Sequence, residues 1–171
     1  MRMTLALATT VVVATPALAM ELNSADIHDG IPISKEQVYT RCGGGNVSPA
    51  LSWSGAPAGT KSFAITAIDI SVRPHQWSHW IVVDLPPKTA SLGKGAALPA
   101  PGKALMTDFG DAAYGGPCPP EGSGAHRYVF TVWALPGATA NIPAKANAGE
   151  LSASLAKQSL AHASITGIYE R

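Results

Sequence analysis

Apolar, β-branched runs separated by Gly- and Pro-rich connectors dominate this chain. Ser62 to Ile70 is one such run, interrupted near its end by the charged Asp69. Trp80 to Leu85, Arg127 to Ala134 and Ser164 to Tyr169 read as further strands, and Leu51 to Trp53 as a short one. Nearly continuous apolar character predicts strands covered on both faces, inside a sandwich. One segment carries a helical period instead. Asn147 stands at an N-cap, Glu150 follows at capping-box spacing, and Ala148, Leu151, Leu155 and Ala156 fall on one side. The predicted helix spans about 147–162. Ser34 and Gln37 repeat the cap spacing ahead of a short helix or turn. The expected fold class is therefore mainly β, an antiparallel sandwich with one helix in the C-terminal region. Long Gly/Pro-rich loops at Pro86–Lys103 and Asp108–Gly124 complete it, and loops of that length are often functional.

The N-terminus does not fit this pattern. Arg2, a short apolar stretch from Leu5 to Ala14 and the A-x-A triplet Ala17-Leu18-Ala19 have the order of a secretory signal peptide. The reading is cleavage after Ala19, which leaves residues 20–171 as one domain in the periplasm or outside the cell. Loss of Arg2 with the leader brings the formal net charge from +1 to 0. A neutral chain without a basic stripe gives no footprint for nucleic acid, and no second long apolar run is available to span a membrane. The two cysteines, Cys42 and Cys118, read as one disulfide in an exported protein, the alternative being two thiols.

Several motifs fail on inspection. His75 and His79 have zinc-protease spacing, but Gln76 stands where the general-base Glu belongs and Pro74 disfavours the helix. Gly43-Gly44-Gly45 lacks the Gly-Lys-Ser/Thr of a phosphate-binding loop. The sequon Asn46-Val47-Ser48 is followed by Pro49 and carries little weight. No G-x-S-x-G elbow occurs, and no Ser is tied to a histidine by a recognised spacing. Asp69, His79 and His126 are more promising, each at the end of a predicted strand beside a Pro/Gly-rich turn. Alternation places His126, Tyr128 and Phe130 on one face and Arg127 on the other. Trp77, Trp80 and Trp133 read first as core aromatics. Two histidines and a carboxylate also match the facial triad of non-heme iron enzymes, but nothing marks a co-substrate site. No metal or cofactor is expected.

Gly45-Asn46-Val47-Ser48-Pro49-Ala50-Leu51-Ser52-Trp53, Trp77-Ser78-His79-Trp80, Asp108-Phe109-Gly110, Gly115-Gly116-Pro117-Cys118-Pro119-Pro120 and Ala125-His126-Arg127-Tyr128 follow one another in a familiar order. In this the chain resembles the phosphatidylethanolamine-binding proteins, also called Raf kinase inhibitor proteins, in their bacterial branch. The resemblance implies packed antiparallel sheets, a helix near the C-terminus and a small pocket for phosphate, acetate or a phosphorylated headgroup. It places Asp69, His79, His126, Tyr128, Pro119, Cys118 and Trp77 at that pocket, with Pro120 extending the proline wall. The family's D-P-D-A-P motif is altered here to Asp69-Ile70-Ser71-Val72-Arg73-Pro74, with Ser71 in place of the second Asp and Arg73 as a cation beside the mouth.

The expected function is a non-enzymatic, exported binding protein for a small anionic ligand or phospholipid headgroup. His79, His126 and Tyr128 would donate to it, while Asp69 would orient the imidazoles and favour their charged form at mildly acidic pH. The alternative is an interaction protein that inhibits a kinase or protease through the loops at 86–103 and 108–124. The resemblance also implies homodimers among bacterial members.

Overall fold

A computed structural model describes residues 19–143 and 146–171. The predicted leader therefore lies, apart from Ala19, outside the described residues. Eight strands and one helix follow in order. They are β1 (Glu21–Asn23), β2 (Leu51–Ser54), β3 (Ser62–Asp69), β4 (Trp77–Leu85), β5 (Ser91–Leu92), β6 (Lys103–Ala104), β7 (His126–Leu135), α1 (Ala148–Gln158) and β8 (Ala161–Tyr169). They form two antiparallel sheets, ordered β1-β2-β5 and β6-β4-β3-β7-β8.

The absence of alternation in β3 has the expected cause, since every one of its residues is buried. One face of the larger sheet sends Phe63, Ile65, Trp80, Val82, Phe130 and Val132 into a core shared with Leu22, Leu51 and Trp53 of the smaller sheet. The other face presents Ala64, Ile81, Val83, Trp133 and Leu135, which Leu151 and Leu155 of α1 cover. At about 25 cal/mol per Å² of apolar surface removed from water, this double coverage is the main stabilising contribution.

The helix begins as predicted. The Asn147 side chain accepts from the Glu150 N–H at 3.0 Å, and Glu150 accepts from the Asn147 N–H at 3.1 Å. It ends earlier than predicted, at Gln158 rather than 162, and Ala156 is exposed rather than on the buried side. The reason lies in the next strand. Residues 161–169 pair without interruption along β7, from Ala161 opposite Ala134 to Tyr169 opposite His126. A continuous ladder outweighs the modest helical preference of Ala161 and Ala163. The other strand boundaries shift by a few residues, and one shift matters. Strand β4 starts at Trp77, so His79 lies inside it rather than at its beginning.

Candidate ligand pocket

Where β3, β4 and β7 meet, the pairing steps from Ala67 opposite Trp80 to Ile68 opposite Ser78. His79 is the extra residue of this bulge. A bulge turns its side chain out of the regular alternation. On the other side of β3, Asp69 pairs with Tyr128, which brings His126 to the same end of the sheet. A cavity of about 520 Å³ opens there, the size of an ordinary small-molecule site. Asp69, Trp77, His79, Cys118, Pro119, Pro120, His126 and Tyr128 all line it.

The two histidines are held differently. His126 Nδ1 lies 2.6 Å from Asp69 Oδ2, and both residues are buried. The other Asp69 oxygen accepts the Ser71 N–H at 2.8 Å, and Ser71 Oγ accepts the Arg127 N–H at 3.0 Å. Ser71 thus closes the turn after β3. His79 has no bond to Asp69. Its Nδ1 donates to the Gly115 carbonyl at 2.7 Å, and the Gly115 N–H returns a bond to the His79 carbonyl at 2.8 Å. The expectation that one carboxylate orients both rings is therefore corrected. Burial pushes the His79 pKa down, against the opposing pull of the Gly115 and Gly116 carbonyls and of Asp69 and Asp108. Buried imidazole resists charging because the ion loses its hydration.

Tyr128 stands between the rings, edge-on to His79 at 5.0 Å and stacked with His126 at 6.5 Å. Among the described residues its buried hydroxyl makes no well-formed hydrogen bond, and the Asp69 carboxylate is the nearby group that competes for it. Burial first, then the charge of Asp69, raises its pKa, so it remains a neutral O–H donor.

The outer wall is the loop after β6. Asp108 accepts from the Ser78 N–H at 2.6 Å and from the Ser78 hydroxyl at 2.7 Å. Asn46 donates to the Tyr114 carbonyl at 3.1 Å and accepts from the Gly116 N–H at 2.7 Å. With its side chain so used, Asn46 is a structural residue. A Cβ on Gly116 would overlap the backbone of Gln37 and Val38, so glycine is required there. The Cys42–Cys118 disulfide ties the same loop to the 3₁₀ turn Thr40–Cys42. A bridge across 76 residues is worth about 4 kcal/mol in loop-closure entropy.

Sequence reasoning missed several lining residues, namely Tyr39, Arg41, Val72, Phe109 and Asp111. Phe109 packs against Tyr39, Trp77 and His79. Arg41 replaces Arg73 as the cation at the pocket: both are exposed, but only Arg41 lines the cavity. A signal for Arg41 was present, since a bond from Cys42 to Cys118 brings its neighbour beside the proline wall. Trp80 and Trp133 are core residues, whereas Trp77 is 38% exposed and sits at the rim. One contact had no recognised spacing to signal it. A serine does reach a histidine, with Ser123 Oγ 3.1 Å from His126 Nε2. Among the described residues no group of three or more His, Cys, Asp or Glu could hold a metal ion, and no helix is long and apolar enough to cross a membrane.

Comparison with known proteins agrees with this architecture. Residues 23–170 match the family model described as phosphatidylethanolamine-binding protein. The chain is similar to the UPF0098 protein YbcL of Escherichia coli, 39% identical over 165 residues that cover 90% of this chain and 89% of YbcL. It is also similar to the putative lipoprotein LppC of Mycobacterium tuberculosis, 36% identical over 166 residues covering 95% of this chain and 80% of LppC. The crystal structure of E. coli YbcL, described as a new member of the mammalian PEBP family, superposes with a TM-score of 0.79 at 37% identity and covers 90% of this chain and 99% of that one. The chain belongs to the phosphatidylethanolamine-binding protein family.

Proposed function

We propose that this chain is a non-enzymatic, exported binding protein whose pocket accepts an anionic group, phosphate or a phosphoryl headgroup. The observation that carries this is the Tyr128 hydroxyl, buried without a well-formed hydrogen bond among the described residues, in a cavity that Arg41 also lines. An unsatisfied buried donor costs about 1–3 kcal/mol, and a ligand oxygen would recover that cost. Charge-assisted bonds from Arg41 would add to it. Support for export comes from the signal-peptide pattern at residues 1–19 and from the similarity to LppC, named a putative lipoprotein. Loop 108–124 supplies the pocket wall, which favours ligand binding over partner docking for that segment. Calorimetric titration with inorganic phosphate tests the proposal. Binding that weakens about tenfold in Tyr128→Phe and in Arg41→Ala is expected. Unchanged affinity in both variants would remove its basis.

A second reading has one observation in its favour. Ser123 Oγ, His126 and Asp69 stand in the order of an acyl-transfer triad. The Ser123 hydroxyl, however, lies nearer to the Pro120 carbonyl, at 2.7 Å, and donates there. The single Ser123 proton is then committed to that carbonyl and not handed to His126, unlike that of an activated nucleophile. Hydrolysis of p-nitrophenyl acetate should be no faster for the wild type than for Ser123→Ala. A clear excess would favour the hydrolase.

A further inference from the structure

We propose that this pocket selects an anion carrying its own proton donor, a hydrogen phosphate or phosphate monoester, because His79 presents a lone pair rather than an N–H to the cavity. The inference rests on the pocket reading above and adds the protonation state of the ligand.

A carbonyl oxygen can only accept, so the Gly115 contact at 2.7 Å puts the His79 proton on Nδ1. The carbonyl cannot turn away. The peptide units on both sides of Gly115 are held by one residue, through Asn46 to the Tyr114 carbonyl and to the Gly116 N–H. The Gly115 N–H is itself committed to His79. Asn46 has a positive φ of 54°, a conformation asparagine tolerates better than most residues. It is thus a positioning residue that acts on His79 through Gly115. Among the described residues the remaining ring nitrogen, Nε2, makes no hydrogen bond, and His79 lines the cavity. For Nε2 to donate, the ring would have to carry a second proton, which burial opposes.

The cavity therefore offers two kinds of contact. Tyr128 and Arg41 are donors for anionic oxygens, and His79 Nε2 is an acceptor. Hydrogen phosphate, and a phosphate monoester as its monoanion, match both, with a P–O⁻ toward the donors and a P–OH toward the lone pair. Sulfate and phosphodiesters set a bare oxygen against that lone pair. Sites built around such a bond reject analogues that lack it by large factors.

Calorimetry on the full-length mature chain at about pH 6, where a phosphate monoester still keeps its P–OH in large part, would compare phosphate, sulfate, methyl phosphate and dimethyl phosphate. A soluble short-chain phosphatidic acid, set against methyl phosphate, separates a lipid-borne monoester from a free one. Phosphate and methyl phosphate should bind about a hundredfold tighter than sulfate and dimethyl phosphate. Equal affinities would overturn the inference and leave the anion pocket standing, whereas no binding by any oxyanion would sink both. Nitrogen-15 NMR reads the tautomer without ligand. An unprotonated Nε2 is expected, and an Nε2–H would overturn the inference outright. Asn46→Gly keeps the backbone conformation and removes both side-chain bonds. It should give mixed tautomers and lower the phosphate-to-sulfate ratio about tenfold. A single unchanged tautomer with an unchanged ratio would refute the positioning role. Asn46→Asp, which keeps the acceptor and loses the donor, provides the same reading if the glycine variant does not fold.

Discussion

Two walls of one pocket carry the same side chain under opposite conditions. On the β7 wall, His126 rests on the buried carboxylate of Asp69 and reaches Ser123 with its other nitrogen. On the β4 wall, His79 rests on a neutral backbone carbonyl and, among the described residues, makes no hydrogen bond with its far nitrogen. A carboxylate accepts the ring N–H with a full charge, and a carbonyl accepts it with a partial one. The role of each ring is therefore written in its partner rather than in the histidine itself. Counting two histidines near one anion site as two equivalent donors misreads half of it.

The largest way to break this contrast is to remove the carboxylate. Asp69→Ala leaves the buried His126 Nδ1 without its acceptor and frees the Ser71 N–H. Each buried polar group left without its partner costs about 1–3 kcal/mol. Urea denaturation should show a loss of about 3 kcal/mol, with Asp69→Asn losing less because it keeps an acceptor. A loss under 1 kcal/mol for Asp69→Ala would mean the two walls are held alike.

The β4 wall is tested by pH. The folded state lowers the His79 pKa from its ordinary value of 6.5, chiefly through burial. The unfolded chain then binds that proton more readily than the folded one. Stability from this source is complete above pH 6.5 and erodes as pH falls from there toward the lower, folded-state pKa. One proton gives a slope of at most about 1.4 kcal/mol per pH unit. In His79→Gln, whose amide can still donate to Gly115, that part of the acid dependence should vanish. Melting temperatures of wild type and variant between pH 7.5 and 5.5 check this. Parallel curves would show that His79 is not the group responsible.

The two walls also differ in how far they could be read from sequence. The β7 wall was legible because it is built by local rules. Alternation put His126 and Tyr128 on one face, and Asp69 stood out as a charge within an apolar strand. The β4 wall was not legible, because its geometry comes from distant partners. The bulge at His79 exists only in the pairing with Ala67 and Ile68. The carbonyl that holds the ring lies 36 residues away, and Asn46 sets it from further still. Arg41 arrives through a disulfide, and Ser123 through a turn that brings it back onto His126. The fold itself was readable from strand runs and a capping box, since these need no long-range information. The helix end at Gln158 was not, because the β7–β8 ladder decides it.

The smallest expected effect lies away from both walls and calibrates them. Asn147 and Glu150 form a reciprocal cap on α1, and the helix covers the sheet face opposite the smaller sheet through Leu151 and Leu155. Replacing a capping Asn by Ala costs about 1 kcal/mol. Asn147→Ala should lose that much in urea denaturation while phosphate affinity and the His79 tautomer stay as in the wild type. The residues of α1 do not line the pocket. Loss of stability at this cap therefore has no direct route to the pocket. If the cap variant weakened phosphate binding as strongly as Tyr128→Phe does, affinity would be following global stability. The contrast between the two histidines would then have to be measured again in variants matched for stability.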